Sequence, residues 1–524
     1  MKKILPTLLA SAVATSVAAQ AGAAEDRYII KFKAGKSAEA KAQLNKAGGR
    51  TALALDKRNA VAAMLSDKAL QAMQNNPNVE YVEKDAKRWL MAQEVPFGIP
   101  MVQADMVADD MAGNSTVCII DSGYDISHED LSGNMVTGTN DSGTGNWYED
   151  QNSHGTHVAG TIAAINNSTG VVGVMPNGNV KLHIVKVFNA DGWGYSSSLV
   201  AAADTCADNG ANVINMSLGG TLKSRTEDQA FADLYANRGV LSIAAAGNDG
   251  NTRHSYPASY DSVMSIAAID SDKVIADFSQ QTDQVELAGP GVDVLSSVPV
   301  GSAVVSSVTV GGNAVDSAGM EGSPLDSAAG SLVDCGLGES ACTDAAGEIC
   351  LISRGNISFA DKVLNCEAGG GVGAIIYNNE PGMLYGTMGE VVTSIPSVGI
   401  SDTDGAALMG QLGTAATVTV EPGDYAYFNG TSMATPHVAG VAGLVWSHYP
   451  NCAPGEIRAA MNATAEDLGD AGRDNAYGYG LVQAKAAFDY LAANACTGTN
   501  PGDGGSGGGG GGNGGGKGGG PKNR

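Results

Sequence analysis

Basic residues are scarce in this 524-residue chain: 30 Lys and Arg stand against 55 Asp and Glu, giving a formal net charge of −25. A nucleic acid would find no basic surface to neutralise its phosphates, so that class of partner is not expected. Long apolar runs are also missing. The stretch from Ile4 to Ala19 falls short of the roughly 20 apolar residues a membrane-spanning helix needs, and no second one follows it. Stable association with a membrane is therefore not expected either. Charge is unevenly spread: Glu25 to Met91 carries a net +5 and Ala92 to Arg524 a net −32. A basic leader precedes an acidic body, whose surface favours solubility outside the cell and attracts divalent cations.

At this length several segments are expected, because single cores stop growing at about 250 to 300 residues. Lys2 and Lys3 followed by the Ile4–Ala19 run and small residues at 19–23 read as a secretory signal peptide over 1–24, which implies a secreted protein. Residues 25–91 form a compact leader. Arg27 to Lys33 alternates like a half-buried strand, a helical Ala/Leu stretch follows, and Asn78 to Asp85 reads as a second strand. Thr116–Ile120, His183–Phe188, Asn212–Met216, Val240–Ala245 and Ser262–Ala268 read as buried strands separated by Ala-rich helices. That pattern predicts an α/β fold, a doubly wound and mostly parallel sheet with helices on both faces. From 300 to 424 short Gly-, Ser- and Val-rich strands mark an inserted, β-rich domain that divides the main domain into 92–299 and 425–497. Residues 498–524 form a Gly-dominated tail whose composition predicts disorder.

Eight cysteines suit an exported chain. Cys335, Cys342, Cys350 and Cys366 cluster in the insert, and Cys452 and Cys496 bracket the last helices like a staple. Cys118, in a strand, and Cys206, in a helix, are equally compatible with a bridge and with buried free thiols.

Three motifs carry chemistry. Asp121 ends the apolar run Val117–Ile120 and lies in Val117-Cys-Ile-Ile-Asp-Ser-Gly123; His154 lies in Asn152-Ser-His-Gly-Thr-His-Val-Ala-Gly160; Ser432 lies in Phe428-Asn-Gly-Thr-Ser-Met-Ala-Thr-Pro436. A serine hydroxyl needs a base within hydrogen-bond reach and an acid to orient that base. These three residues, each among small neighbours, can supply that set. His157 and His437, further into the same motifs, read as packing residues.

From about Gln93 to about Ala487, with one long interruption, the motifs resemble those of the subtilisin-like serine proteases, and their chain order Asp, His, Ser is that family's. The resemblance implies a self-processed, broadly specific secreted serine endopeptidase that acts on proteins and peptides through an acyl-enzyme, as a monomer. It identifies Asp121, His154 and Ser432 as the triad. It makes Asn248, in Ala244-Ala-Ala-Gly-Asn-Asp-Gly250, the oxyanion donor beside the Ser432 backbone N–H. Ser217, Leu218, Gly219, Ala246 and Gly247 become the flanks of the pocket for the residue before the scissile bond, with Ser255 as its floor. Nothing charged appears in those stretches, so a bulky uncharged residue is expected there.

The loop Ile165-Asn-Asn-Ser-Thr-Gly-Val171 is similar to the family's tight calcium site. The resemblance implies a structural Ca2+ held by Gln93, Asp130, Asn167 and the backbone carbonyls of Ile165, Thr169 and Val171, an all-oxygen set that suits a hard cation. The insert resembles the protease-associated (PA) domain, and Arg354, Asp361 and Lys362 within it read as a surface helix cap and ion pairs. Two other readings remain open on the sequence alone: a selective processing protease gated by the insert, and a catalytically silent binding protein.

The leader resembles the family's inhibitory propeptide, and Ala92-Gln-Glu-Val-Pro-Phe-Gly98 resembles a mature N-terminus, which places autoprocessing after Met91. Opposite net charges on leader and body would help the leader act as folding template and then inhibitor. Expression of Ala92 to Arg524 without the leader should give little active enzyme by active-site titration; efficient unaided folding would contradict this role.

Overall fold

The computed structural model describes residues 26–84, 93–190, 192, 194–389 and 391–500. The expected signal peptide, the bond after Met91 and nearly all of the Gly-rich tail lie outside the described residues. The chain divides into two compact units, Met1–Leu90 and Met91–Arg524.

In the first unit, strands Arg50–Leu55, Ala60–Leu65, Asp26–Phe32 and Val79–Lys84 lie in that order in one antiparallel sheet. Helices Ser37–Lys46 and Asp67–Gln74 accompany it, around a core that includes Ile30, Phe32, Leu44, Val61, Leu65 and Met73. The two outer-sequence strands match the expected pattern. The two between them do not: Ala60 to Ala63 are all buried, so that strand has no polar alternation to reveal it.

The second unit is built on seven parallel strands: β1 (Thr116–Asp121), β2 (Met135–Asn140), β3 (Lys181–Lys186), β4 (Val213–Met216), β5 (Leu241–Ala245), β6 (Val263–Ile269) and β7 (Val285–Pro290). Their order is β7-β6-β5-β4-β1-β3-β2. The five expected strands are present. The two missed ones are the edges, β2 with polar and Gly residues and β7 with Glu286, Gly289 and Pro290, which dilute the apolar signal. Every residue of β4 to β7 is buried, as a parallel sheet covered on both faces requires.

The two faces are legible in β1 itself. Val117 and Ile119 point into one apolar cluster with helices α1 (His154–Ala163) and α4 (Thr431–His448). Cys118 and Ile120 point into another, with α2 (Ser196–Asp208) and α3 (Arg225–Asn237). This period of two is what makes a strand buried on both sides. On the second face Cys118 and Cys206 form a disulfide that ties β1 to α2. Closing a chain segment of 88 residues in the unfolded state, the bridge contributes on the order of 4 kcal/mol in the chain-entropy account.

Helix α4 is apolar all round and buried along nearly its whole length, as expected of a central helix. Helices Pro454–Thr464 and Ala484–Ala493 complete the unit, with Cys452 and Cys496 bonded as the expected staple.

The insert hangs from a two-stranded antiparallel ribbon, β8 (Val294–Ser297) with β9 (Tyr425–Phe428). Between them lies an eight-stranded mixed sheet with its own two apolar clusters and the disulfides Cys335–Cys342 and Cys350–Cys366. Ser358 caps the helix Phe359–Ala368, its hydroxyl accepting from the Asp361 N–H, and Arg354 pairs with Glu380. Lys362 corrects the surface reading: it is fully buried and its ammonium donates to the Leu337 carbonyl, because the helix face that carries it turns inward beneath the Cys335–Cys342 loop.

Candidate active site

In an open α/β sheet, ligands meet the carboxyl ends of the strands where the strand order reverses. Asp121 is the last residue of β1, from which the chain order runs out in both directions. Its side chain is completely buried. The Asp121 Oδ1 accepts from His154 Nδ1 at 2.7 Å and from the Ser122 N–H at 2.7 Å. With its Nδ1–H committed to the carboxylate, the imidazole presents Nε2 as an acceptor. About a quarter of the His154 side chain is exposed. Burial opposes its protonation, but the charge and hydrogen bond of Asp121 outweigh that and hold its pKa above the ordinary 6.5.

Ser432 is the second residue of α4, where Gly430 precedes the helix. Its hydroxyl donates to the main-chain carbonyl of Ser217 at 3.1 Å, and no hydrogen bond joins it to His154 among the described residues. Catalytic hydrogen bonds are often long or misaligned without substrate. The reciprocal contact has a cause in the sequence. Pro436 sits in the second turn of the helix, and it has no N–H to donate to the Ser432 carbonyl four residues back. The Ser217 hydroxyl supplies the missing donor at 2.7 Å and accepts from Asn215 Nδ2 at 3.1 Å.

Asn248 follows β5. Its Oδ1 accepts from both the N–H and the hydroxyl of Thr431, at 2.9 and 2.8 Å, which fixes the amide so that Nδ2 faces away from them. A Cβ placed on Gly430 would lie 3.2 Å from Asn248 Nδ2 and 3.5 Å from the Ser432 nitrogen. Two N–H donors thus border one small space that only glycine leaves open. Gly247 is also required: its φ is +114°, and a side chain there would run into the Gln280 amide.

A groove of about 740 Å³ runs past Asp121 and His154 between Ser217–Leu222 on one side and Gly192, Gly194 and Tyr195 on the other. Ser217, Leu218 and Gly219 line it; Ala246, Gly247 and Ser255 do not. Ser255 is buried directly beneath Gly219, where a Cβ on the glycine would come 2.6 Å from the Ser255 hydroxyl. His157 and His437 are buried packing residues: His157 Nε2 meets the Val294 and Ala426 carbonyls, and His437 Nδ1 the Met433 carbonyl. Desolvation pushes their pKa values down to about 3 and about 4, so both remain neutral.

At the far end of α1, Glu94 bridges to Val171 and carries Gln93 into the 165–171 loop. The carbonyls of Ile165 and Val171 and the Asn167 Oδ1 converge on the Gln93 amide nitrogen at 2.8, 3.0 and 3.5 Å. Asp130, fully buried, accepts from Asn167 Nδ2 at 2.8 Å and from the Val171 N–H at 2.9 Å. Three oxygens around one point beside a buried carboxylate fit a hard cation; to join them the Gln93 amide would turn its Oε1, which here accepts from the Ser168 N–H at 3.4 Å, toward that point. Thr169 is in the loop, and its N–H and hydroxyl both go to Asn167 Oδ1; its carbonyl makes no contact with Gln93 among the described residues.

Sequence reasoning passed over Asp150, Ser122 and Lys186, which surround the acid–base pair. An acidic residue four positions before His154, at the start of a helix, was the available signal.

A doubly wound sheet with an imidazole–carboxylate pair, a helix-borne hydroxyl and a two-donor cradle at its strand ends has the architecture of a serine hydrolase. The subtilase family model matches residues 113–322 and 403–480, and the PA domain model matches 317–408. Subtilisin amylosacchariticus from Bacillus subtilis subsp. amylosacchariticus is 37% identical over 309 residues, 56% of this chain and 80% of that protein. Subtilisin DY from Bacillus licheniformis is 32% identical over 402 residues, 76% of this chain and 99% of that one. The crystal structure of the psychrophilic subtilisin-like protease Apa1 from Pseudoalteromonas sp. AS-11 is 49% identical, with a TM-score of 0.62, and covers 78% of this chain and 100% of its own. The chain belongs to the subtilase family, carries a PA domain and is a serine endopeptidase.

A base must be neutral to accept a proton, and the His154 pKa lies above 6.5. Titration of kcat/KM should therefore show activity present at high pH and lost, with unit slope, as pH falls through a value above 6.5; a limb below 6.5 would contradict the Asp121–His154 pair as the titrating unit.

Proposed function

We propose that this chain is a secreted, self-processed serine endopeptidase in which Ser432 is the nucleophile, His154 the general base and Asp121 its orienting acid. The observation that carries the proposal is the 2.7 Å Asp121–His154 bond beside the cradle formed by Asn248 Nδ2 and the Ser432 N–H. When substrate enters, a turn of the Ser432 side chain from the Ser217 carbonyl toward Nε2 aligns the proton transfer. Oγ attacks the scissile carbonyl carbon, its proton passes to Nε2, and the carbonyl oxygen becomes an oxyanion held by the two N–H donors. Collapse breaks the C–N bond, the imidazolium gives its proton to the leaving amine, and water repeats the sequence on the acyl-enzyme. Asp121 orients the imidazole and stabilises the imidazolium throughout.

The main chains of Ser217–Gly219 on one wall of the groove and of Gly192, Gly194 and Tyr195 on the other suit a substrate bound as an extended strand. The small, uncharged residues Ser217 and Gly219 on the groove wall, with Ser255 buried beneath Gly219, favour a bulky uncharged residue before the scissile bond. Residues 25–91 act in this reading as inhibitory propeptide and folding template, 1–24 as signal peptide, 92–299 and 425–497 as the catalytic domain and 300–424 as the PA insert. A second reading, selective proteolysis gated by the insert, is favoured by one contact: the Ser302 hydroxyl, at the root of the insert, lies 3.3 Å from the Ser153 hydroxyl, next to His154.

Calcium binding is general in the family. Here Gln93, Asp130, Asn167 and the Ile165 and Val171 carbonyls, with Thr169 in the same loop, would hold the ion. Bound there, it would fasten the segment after Met91 to the catalytic domain and take no part in the chemistry.

Replacing Ser432 with Ala should lower casein hydrolysis by about 10⁶-fold, the scale expected when one member of a cooperative triad is removed, and a peptide library should show cleavage after Phe, Tyr, Leu or Met; residual activity within a hundredfold, or strict preference for Arg or Lys, would contradict the assignment. In the Ser432→Ala protein, which cannot digest itself, a calcium chelator should lower the thermal unfolding midpoint by several degrees and added Ca2+ should restore it; a midpoint indifferent to both would remove the ion.

A further inference from the structure

Asp150 lies in the loop before α1, is 9% exposed, and has no part in the chemistry described above. Its two oxygens nevertheless accept five hydrogen bonds. Oδ1 takes the Ser122 hydroxyl at 2.9 Å, the Asn152 N–H at 3.0 Å and the Ser153 N–H at 3.1 Å. Oδ2 takes the N–H and the hydroxyl of Thr156, at 2.9 and 2.7 Å. The Ser122 hydroxyl in turn accepts the Gly155 N–H at 2.9 Å. The backbone of His154 is therefore gripped on both sides, through residue 153 before it and residues 155 and 156 after it, by one carboxylate and the hydroxyl bonded to it.

The other end of this clamp is the strand that carries the acid. Ser122 follows Asp121, and its N–H donates to the Asp121 Oδ1 that also accepts from His154. One helix entrance and one strand end are thus joined through Asp121, Ser122 and Asp150. The clamp also holds a strained cap: Ser153 has φ +74°, a left-handed conformation that a non-glycine residue keeps only when its surroundings impose it. Beneath the loop Lys186, fully buried at the end of β3, donates to the Glu149 carbonyl at 2.7 Å and to Gln151 Oε1 at 2.8 Å, flanking Asp150 on both sides.

We propose that Asp150 is a positioning residue for proteolysis, which locks the entrance of the His154 helix to the Asp121 strand end so that the imidazole meets both Asp121 and the serine. The proposal rests on the triad reading. Charge accompanies geometry: His154 is faced by Asp121 from β1, by Asp150 from its own loop and by His157 from the next helical turn, while Lys186 and Glu149 face Asp150. The negative charge of Asp150 adds to that of Asp121 in favouring the imidazolium, so its removal makes His154 easier to deprotonate.

The Asp150→Asn enzyme keeps the shape of the side chain but loses the charge and one acceptor oxygen. With enzyme concentration fixed by active-site titration, so that misfolded chains are not counted, kcat on a peptide amide should fall about ten- to hundredfold, the scale of an ångström's misplacement. KM should stay within twofold, and the acid limb of the pH profile should move to lower pH. Titrated enzyme with kcat within twofold of the parent and an unmoved limb overturns the proposal. Should Asp150→Asn fail to mature, Ser122→Ala, which keeps the charge and cuts the link to Gly155, should lower kcat severalfold without moving the limb; an unchanged kcat again overturns it. Ser432→Ala run in parallel separates the two readings: if it is inactive while Asp150→Asn behaves as the parent, only the role of Asp150 falls, and if it remains active, the triad falls and the proposal with it.

Discussion

Everything at this site depends on how closely helix α1 starts against the end of strand β1. A Cβ on Gly155 would strike the Gly123 backbone and come 3.2 Å from the Asp121 Cβ, so the two segments can touch only because position 155 has no side chain. That approach sets the 2.7 Å bond between His154 and Asp121, and it places the first-turn N–H groups of the helix near carboxylates on both sides. The first N–H groups of a helix have no partner within it and carry the positive end of its dipole. Here Ser122 and Asp150 accept those of Gly155 and Thr156, so the capping of the helix and the alignment of His154 with Asp121 share one set of hydrogen bonds.

The insert is tolerated because its ends meet. Residues 294–297 and 425–428 pair strand to strand, so whatever is built between them leaves the path from β7 to Ser432 unchanged. The ribbon is not passive, however. His157 donates from Nε2 to carbonyls of both strands, Val294 and Ala426, and stacks on Phe428 at 4.4 Å. The Ser296 hydroxyl donates to the His157 carbonyl at 2.8 Å. The root of the insert is therefore bolted to the helix that begins with His154, and its return strand ends four residues before Ser432. His157, set aside as packing, is the side chain through which insert and catalytic helix share a boundary.

Much of this was legible in the residue order, for identifiable reasons. Buried parallel strands are apolar throughout, so β1, β3, β4, β5 and β6 announced themselves, and motifs crowded with Gly, Ala, Ser and Thr marked the places where backbones approach. The strands that escaped were those whose residues do not carry the period: polar β2, β7 with Gly289 and Pro290, and strands 50–55 and 60–65 of the first unit. At the site, the motifs pointed to Asp121, His154 and Ser217–Gly219, which line the groove. Those acting from behind were not, because Asp150, Ser122 and Lys186 reveal themselves only by what they touch. The Cys118–Cys206 bridge was undecidable for the same reason: a strand and a helix 88 residues apart give no sign of which faces meet.

Lysine is expensive to bury, since an ammonium loses its hydration unless anions or carbonyls replace it. In a body this acidic the cheap place for a lysine is the surface, yet Lys186 and Lys362 are fully buried. Desolvation lowers the pKa of each, opposed at Lys186 by the charges of Asp150 and Glu149 and at Lys362 by Glu339. Both donate to main-chain carbonyls in irregular segments, at Glu149 and at Leu337. Each thus supplies the donor that a loop outside any helix or sheet lacks, and each fixes a loop whose shape matters locally, one before His154 and one closed by Cys335–Cys342. Irregular backbone in a buried setting needs donors of its own, and in a chain with few cations these two stand where ladder hydrogen bonds are missing rather than where they would balance surface charge.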